Sequence, residues 1–154
     1  MSMFRSKSKI SFWEPIIGNQ EIKNINKALK KNWPNEGNFT ELFENKIKKL
    51  LKVKHAVCVT SGTISIFLAL RALGISRGDE VIIPDITFGA TAMAAKLTGA
   101  KIVLTDVKSD TLSFDFRDLN KKITKKTKAI IPVHISGRAA EMNLLMKMTI
   151  VFIK

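Results

Sequence analysis

The chain has 154 residues, 45% of them hydrophobic, with a formal net charge of +13. That composition supplies a core for one domain and excludes a disordered chain, and no apolar run approaches the roughly 18 residues that span a bilayer. The opening MSMFRSKSKISFWEP is basic but has neither a continuous apolar core nor a small-residue cleavage site, so it does not read as a secretory signal.

The single cysteine, Cys58, gives no disulfide framework and no metal-ligand spacing, and is expected to be a small buried core residue. These features together predict a cytoplasmic protein with no membrane partner. The charge invites a nucleic-acid reading, but lysine supplies 21 of the 26 basic residues. The lysines cluster at 46–54 (KIKKLLKVK) and 121–128 (KKITKKTK). Both clusters interleave with apolar residues at helical spacing, the pattern of a wet helix face. Tyrosine is absent and no zinc-finger or RNA-binding signature occurs, so no specific nucleic-acid partner is expected.

In chain order, Glu21 to Lys31 carries apolar residues at 22, 25 and 29, which predicts a helix. Trp33 to Asn38 (WPNEGN) breaks it, and Thr40 to Leu51 is helical again. The period then changes. Ala56–Thr60 is a candidate strand, and Thr63–Leu73 a helix closed by Gly74. A strand at 80–83 is stopped by Pro84, and a small-residue helix follows, closed by Gly99. KIVLTDV (101–107) predicts a strand, Asp115 to Ile123 a short helix, and KAIIPVH (128–134) a buried strand ending at His134. The last residues, NLLMKMTIVFIK, suggest one short helix and part of a strand. Strands alternating with crossover helices, several of them apolar throughout, predict an α/β fold: a mainly parallel sheet with helices on both faces.

Ligands of open α/β sheets sit beyond the carboxyl ends of the strands. Ser61-Gly62-Thr63 lies at such an end and opens a helix, where free N–H groups and the helix dipole attract phosphate. The same tripeptide also reads as an ordinary N-cap. It is neither a Walker A loop nor a GxGxxG fingerprint, so ATP and NAD are not indicated. Thr87-Phe88 follows the next strand, where the ring could cover a flat ligand or pack in the core. His134, with Gly137 after it, ends another strand and reads either as a structural residue or as part of a site. A phosphate cradle, an aromatic platform and a histidine at neighbouring strand ends suit one phosphorylated, planar, aromatic cofactor.

At these residues the sequence resembles the sugar aminotransferases of the DegT/StrS type, which depend on pyridoxal 5′-phosphate and have the fold of aspartate aminotransferase. WPNEGNFTELFENKI (33–47), the long run from HAVCVTSGTISIFLALRALG through LTDVKSDTLSFD (55–115) and TKAIIPVHISGRAAEM (127–142) carry the resemblance, in order, over residues 14–142. The resemblance implies that Gly62, Thr63 and the Ile64 amide hold the cofactor phosphate, that Phe88 stacks on the pyridine ring, and that His134 lies near cofactor or substrate. Trp33 and Gly37 are implied on the substrate side.

The implied reaction moves an amino group from an amino acid, typically glutamate, to a keto sugar carried on a nucleotide, by paired half reactions through pyridoxamine phosphate. The products feed surface polysaccharide or lipopolysaccharide, and the full-length enzymes are homodimers. The family's lysine, which bonds to the cofactor and shuttles the proton, lies in a Ser-rich stretch. Its aspartate, which pairs with the ring nitrogen, lies in a Glu-Asp-Ala-Ala type motif. Neither motif is found in this sequence, and Lys147 and Lys154 stand in the wrong context. The expected organisation is an N-terminal helical segment (1–55), the start of the large cofactor-binding domain (56–142) and an atypical truncated tail (143–154), without the small C-terminal domain. This describes an N-terminal fragment, from a frameshift or a premature stop, that is inactive alone.

Overall fold

EVIIP, with three consecutive β-branched apolar residues before a proline, forms the central strand β1 (Glu80–Pro84), buried at all five positions, in the computed structural model, which describes residues 14–31 and 37–152. Strands β2 (Lys101–Thr105) and β3 (Thr127–Ile130) flank it in the order β2-β1-β3, and both pair with it in parallel. Because side chains alternate along a strand, β1 splits its apolar residues between two layers. Val81 and Ile83 face a cluster with Leu70, Ile75, Ala95 and Ala100, whereas Ile82 faces Phe114, Leu119, Ala140 and Leu145. Helices α3 (Gly62–Ala72) and α4 (Gly89–Leu97) supply the first cluster; α5 (Phe116–Lys122) and α6 (Met142–Phe152) supply the second. The result is a three-layer α/β/α arrangement, the predicted fold class. Burying Val81, Ile82 and Ile83 completely is worth about 1.5–3 kcal/mol each.

The amino ends of the strands are tied by Glu80. Its side chain is 8% exposed; Oε1 accepts from Lys101 Nζ at 3.1 Å and Oε2 from Thr124 Oγ1 at 2.6 Å. The carboxyl end of β2 is tied by Asp118, whose Oδ2 accepts from Thr105 Oγ1 and from the Asp106 amide, each at 3.0 Å. Gly99 closes α4 at φ +83°, a conformation that favours glycine.

The chain divides into two compact units, residues 1–58 and 59–154. Among its described residues the first unit holds helices α1 (Asn19–Lys30) and α2 (Asn38–Leu51), neither of which contains a buried residue. Their apolar stripes are real but open: Ile25, Leu29, Leu42 and Phe43 are all more than half exposed.

Several expectations need correction. Ala56–Thr60 is not a strand: none of the three strands pairs with it, Val57 is 79% exposed, and the Cys58 amide donates instead to Glu44 Oε1 at 2.8 Å. Cys58 is therefore half-buried rather than a core residue. The strand expected over 101–107 stops at Thr105, because Asp118 takes the Asp106 amide out of the ladder. The strand expected to run to His134 ends at Ile130. One further bond, Ile131 N–H to the Ile82 carbonyl at 2.9 Å, follows before Pro132, which has no N–H to pair. The described part of the tail is helical, from Met142 to Phe152, where part of a strand was expected, and Leu145 and Met148, three residues apart on one helix face, pack toward the sheet. No helix among the described residues is long and apolar enough to cross a membrane.

Candidate functional site

The head of α3 is built by Ser61, an extended residue whose Oγ accepts from the Ile64 amide at 3.3 Å while its carbonyl accepts from the Ser65 amide at 2.9 Å. The first N–H groups of any helix lack an intrahelical acceptor. Here the serine satisfies one of them. The Gly62 and Thr63 amides and the Thr63 hydroxyl have no partner among the described residues. The first turn carries no acidic side chain, so the positive end of the helix dipole is not neutralised locally. A Cβ built on Gly62 meets nothing within 4 Å, so no side chain among the described residues packs on that residue. Ser61 thus caps the helix, and the Gly62 and Thr63 amides are left without an acceptor among the described residues. The Ile64 amide, expected as a third donor, is already engaged.

Phe88 follows the carboxyl end of β1 and heads α4, where its carbonyl accepts from the Thr91 amide at 3.0 Å. Its ring is 83% exposed, which excludes the core-packing alternative. Thr87 Oγ1 lies 2.8 Å from Thr91 Oγ1, a pair that pins the turn beneath the ring. Helices α3 and α4 pack against each other through Ile66, Leu70, Ala92 and Ala95.

His134 follows β3 and is exposed; its Nδ1 accepts from the Ala140 amide at 3.0 Å. Phe88 and His134 therefore stand at the same, carboxyl, end of a parallel sheet, and the head of α3 lies on the helix packed against α4. Gly62, Phe88 and His134 are each exposed, and Thr63 is half-buried. Gly37 caps α2 through its backbone, its carbonyl accepting from Thr40 and Glu41, and Trp33 lies outside the described residues. Among the described residues no group of histidine, cysteine and carboxylate side chains is arranged to hold a metal ion.

Two contributions were not read from the sequence. Asp118 fixes the loop after β2, and its carboxyl is held below the ordinary aspartate range, chiefly by the Asp106 amide and also by Thr105. The Ala140 amide orients the His134 ring from six residues away. The only sequence signal for the first is an aspartate three residues after the helix cap Asp115, and nothing marks the second.

Comparison with known proteins bears on the family and the fold. A sequence profile of the DegT/DnrJ/EryC1/StrS aminotransferase family matches residues 15–150. The chain is 38% identical over 140 residues to GDP-perosamine synthase of Escherichia coli O157:H7, covering 90% of this chain and 38% of that protein. It is 39% identical over 132 residues to the spore coat polysaccharide biosynthesis protein SpsC of Bacillus subtilis, covering 86% and 34%. Among solved structures, Spr1654 of Streptococcus pneumoniae in its PLP form superposes with a TM-score of 0.87 at 32% identity, over 94% of this chain and 38% of that one. NtdA of Bacillus subtilis with bound cofactor PMP gives a TM-score of 0.81 at 29% identity, over 96% and 36%. The chain thus spans 34–38% of the length of these relatives.

Proposed function

Because the chain belongs to the DegT/DnrJ/EryC1/StrS aminotransferase family, we propose that it carries the phosphate-binding and ring-covering part of a pyridoxal 5′-phosphate-dependent sugar aminotransferase. The observation that carries this reading is the pair of amides at Gly62 and Thr63 that have no acceptor among the described residues, at a helix head with no acidic side chain in its first turn. These amides and the Thr63 hydroxyl hold the phosphate. Phe88 lies over one face of the ring and keeps water from it, and His134 lies near the cofactor or substrate. When bound, pyridoxal 5′-phosphate supplies the electron sink for amino-group transfer. Gly37 and Trp33 belong to the substrate side of the same reading.

The substrates we assign are an amino acid, with glutamate the first choice, and a keto sugar carried on a nucleotide, for polysaccharide or lipopolysaccharide synthesis in the cytoplasm. Support comes from the perosamine and spore-coat relatives. The full-length enzyme is proposed to be a homodimer. These 154 residues contain neither the Glu-Asp-Ala-Ala type motif nor the Ser-rich lysine stretch. Proton transfer by a placed side chain contributes about 10²–10⁴ in rate; without that lysine the chain alone is inactive. The test is the full chain with pyridoxal 5′-phosphate, glutamate and a nucleotide-linked keto sugar, followed by 2-oxoglutarate release. No release above the cofactor-only control is expected, and turnover would refute inactivity.

The open apolar stripes of α1 and α2 favour a second reading, a non-catalytic module that pairs with a full-length relative. Co-elution of the two chains on gel filtration supports it, and separate elution at micromolar concentrations removes it.

A further inference from the structure

We infer that the Ala140 backbone amide locks the His134 ring as an Nε2–H hydrogen-bond donor, so that His134 offers a proton to an anionic or carbonyl oxygen and does not abstract one. This rests on the strand-end site proposed above, and it goes further by assigning the atom and the direction of the hydrogen bond.

A backbone N–H can only donate. Its contact with Nδ1 at 3.0 Å therefore requires that nitrogen to present its lone pair. In the neutral ring the proton then resides on Nε2. A general base acting through Nε2 would need the opposite tautomer, with Nδ1–H facing the Ala140 N–H, two donors opposed. The loop that sets this contact is determined from several sides. Gly137 N–H donates to the His134 carbonyl at 3.2 Å, Arg138 N–H to the Ile135 carbonyl at 2.9 Å, and Arg138 Nη1 to the Asp110 carbonyl at 3.1 Å. Ser136 is held at φ 50°, in the left-handed region.

Ala140 itself is 5% exposed and packs with Ile82, Phe114, Leu119 and Leu145, so the donor is anchored in the core. The ring sits at the exposed end of the loop, and Nε2 has no partner among the described residues. A core-anchored amide thus selects the tautomer of an exposed ring. The ligand chemistry that suits it is a phosphate, phenolate or carboxylate oxygen.

The experiment uses the full chain labelled with ¹⁵N. Long-range ¹H–¹⁵N correlations across the ring of His134, told apart from His55 by the variants below, report which nitrogen carries the proton. The Nε2–H pattern is expected, and an Nδ1–H pattern overturns the inference. Amide exchange at Ala140 gives a second readout. His134→Asn keeps an acceptor near the place of Nδ1 and retains the protection of Ala140. His134→Gln carries its amide group at the reach of Nε2 and loses it, with exchange about five- to tenfold faster. Equal exchange in the two variants overturns the inference. Inorganic phosphate is then added to the unaltered chain. Failure of phosphate to shift His134 Nε2 counts against the strand-end anion site, while the tautomer result stands on its own.

Discussion

A carboxylate at the start of a buried strand is costly unless its oxygens are satisfied, and Glu80 meets that condition with one hydroxyl and one ammonium donor. The Thr124 hydroxyl first and Lys101 second hold its carboxyl below the ordinary glutamate range. A folded-state pKa below the unfolded one means that the unfolded chain binds more protons in that interval. The stability Glu80 contributes is thus complete above the unfolded value of about 4.3 and is lost as pH falls through the lower folded value. Glu80→Gln is expected to flatten the fall in stability below about pH 4.3, measured as urea midpoints across an acid pH series. An unchanged slope would remove Glu80 as a source. At this scale the sequence places Gly62 and Thr63 at the head of a helix and Phe88 and His134 after strands, and the structure has them at those places. It did not disclose hydrogen-bond direction at His134. That Ser61 takes the Ile64 amide is what the N-cap reading implies, whereas no spacing encodes that His134 accepts at Nδ1.

Among the elements, β1 was legible because Val81, Ile82 and Ile83 form a continuous apolar run between a turn and Pro84, as burial on both faces demands. The segment 56–60 carries the same signal and fails to become a strand, since pairing belongs to two segments and periodicity reports only one. Helix ends moved by a few residues for a related reason: α2 starts after Gly37, capped through the backbone, where the sequence offered Thr40. The contrast between central and edge strands gives a measurable expectation. Ile82→Ala removes a fully buried side chain that faces Phe114 and Leu119, and should cost about 2–5 kcal/mol. Leu104→Ala on β2, where the side chain is 53% exposed, should fall within about 0.5 kcal/mol of the unaltered chain. Denaturant titration of both variants checks this, and equal losses would contradict the assignment of β1 as the sheet's core.

For the molecule as a whole, the family and fold class were readable from residues 14–142 because the motifs keep their order and spacing. The chain covers little more than a third of the relatives it matches, so the proposed substrate and chemistry rest on shared family membership, while the proposed phosphate and ring contacts rest on residues of this chain. The most direct test of that division uses pyridoxamine 5′-phosphate, the amine form, which cannot condense with the 21 lysines and so reports non-covalent binding alone. We would follow the Gly62 and Thr63 amide resonances and the Phe88 ring by NMR during titration of the full chain and of Phe88→Ala. The expected result is saturable shifts at both amides, reversed by excess inorganic phosphate, with weaker binding in Phe88→Ala. Amide resonances that stay fixed throughout, or binding that is indifferent to both phosphate and the loss of the ring, would contradict the account.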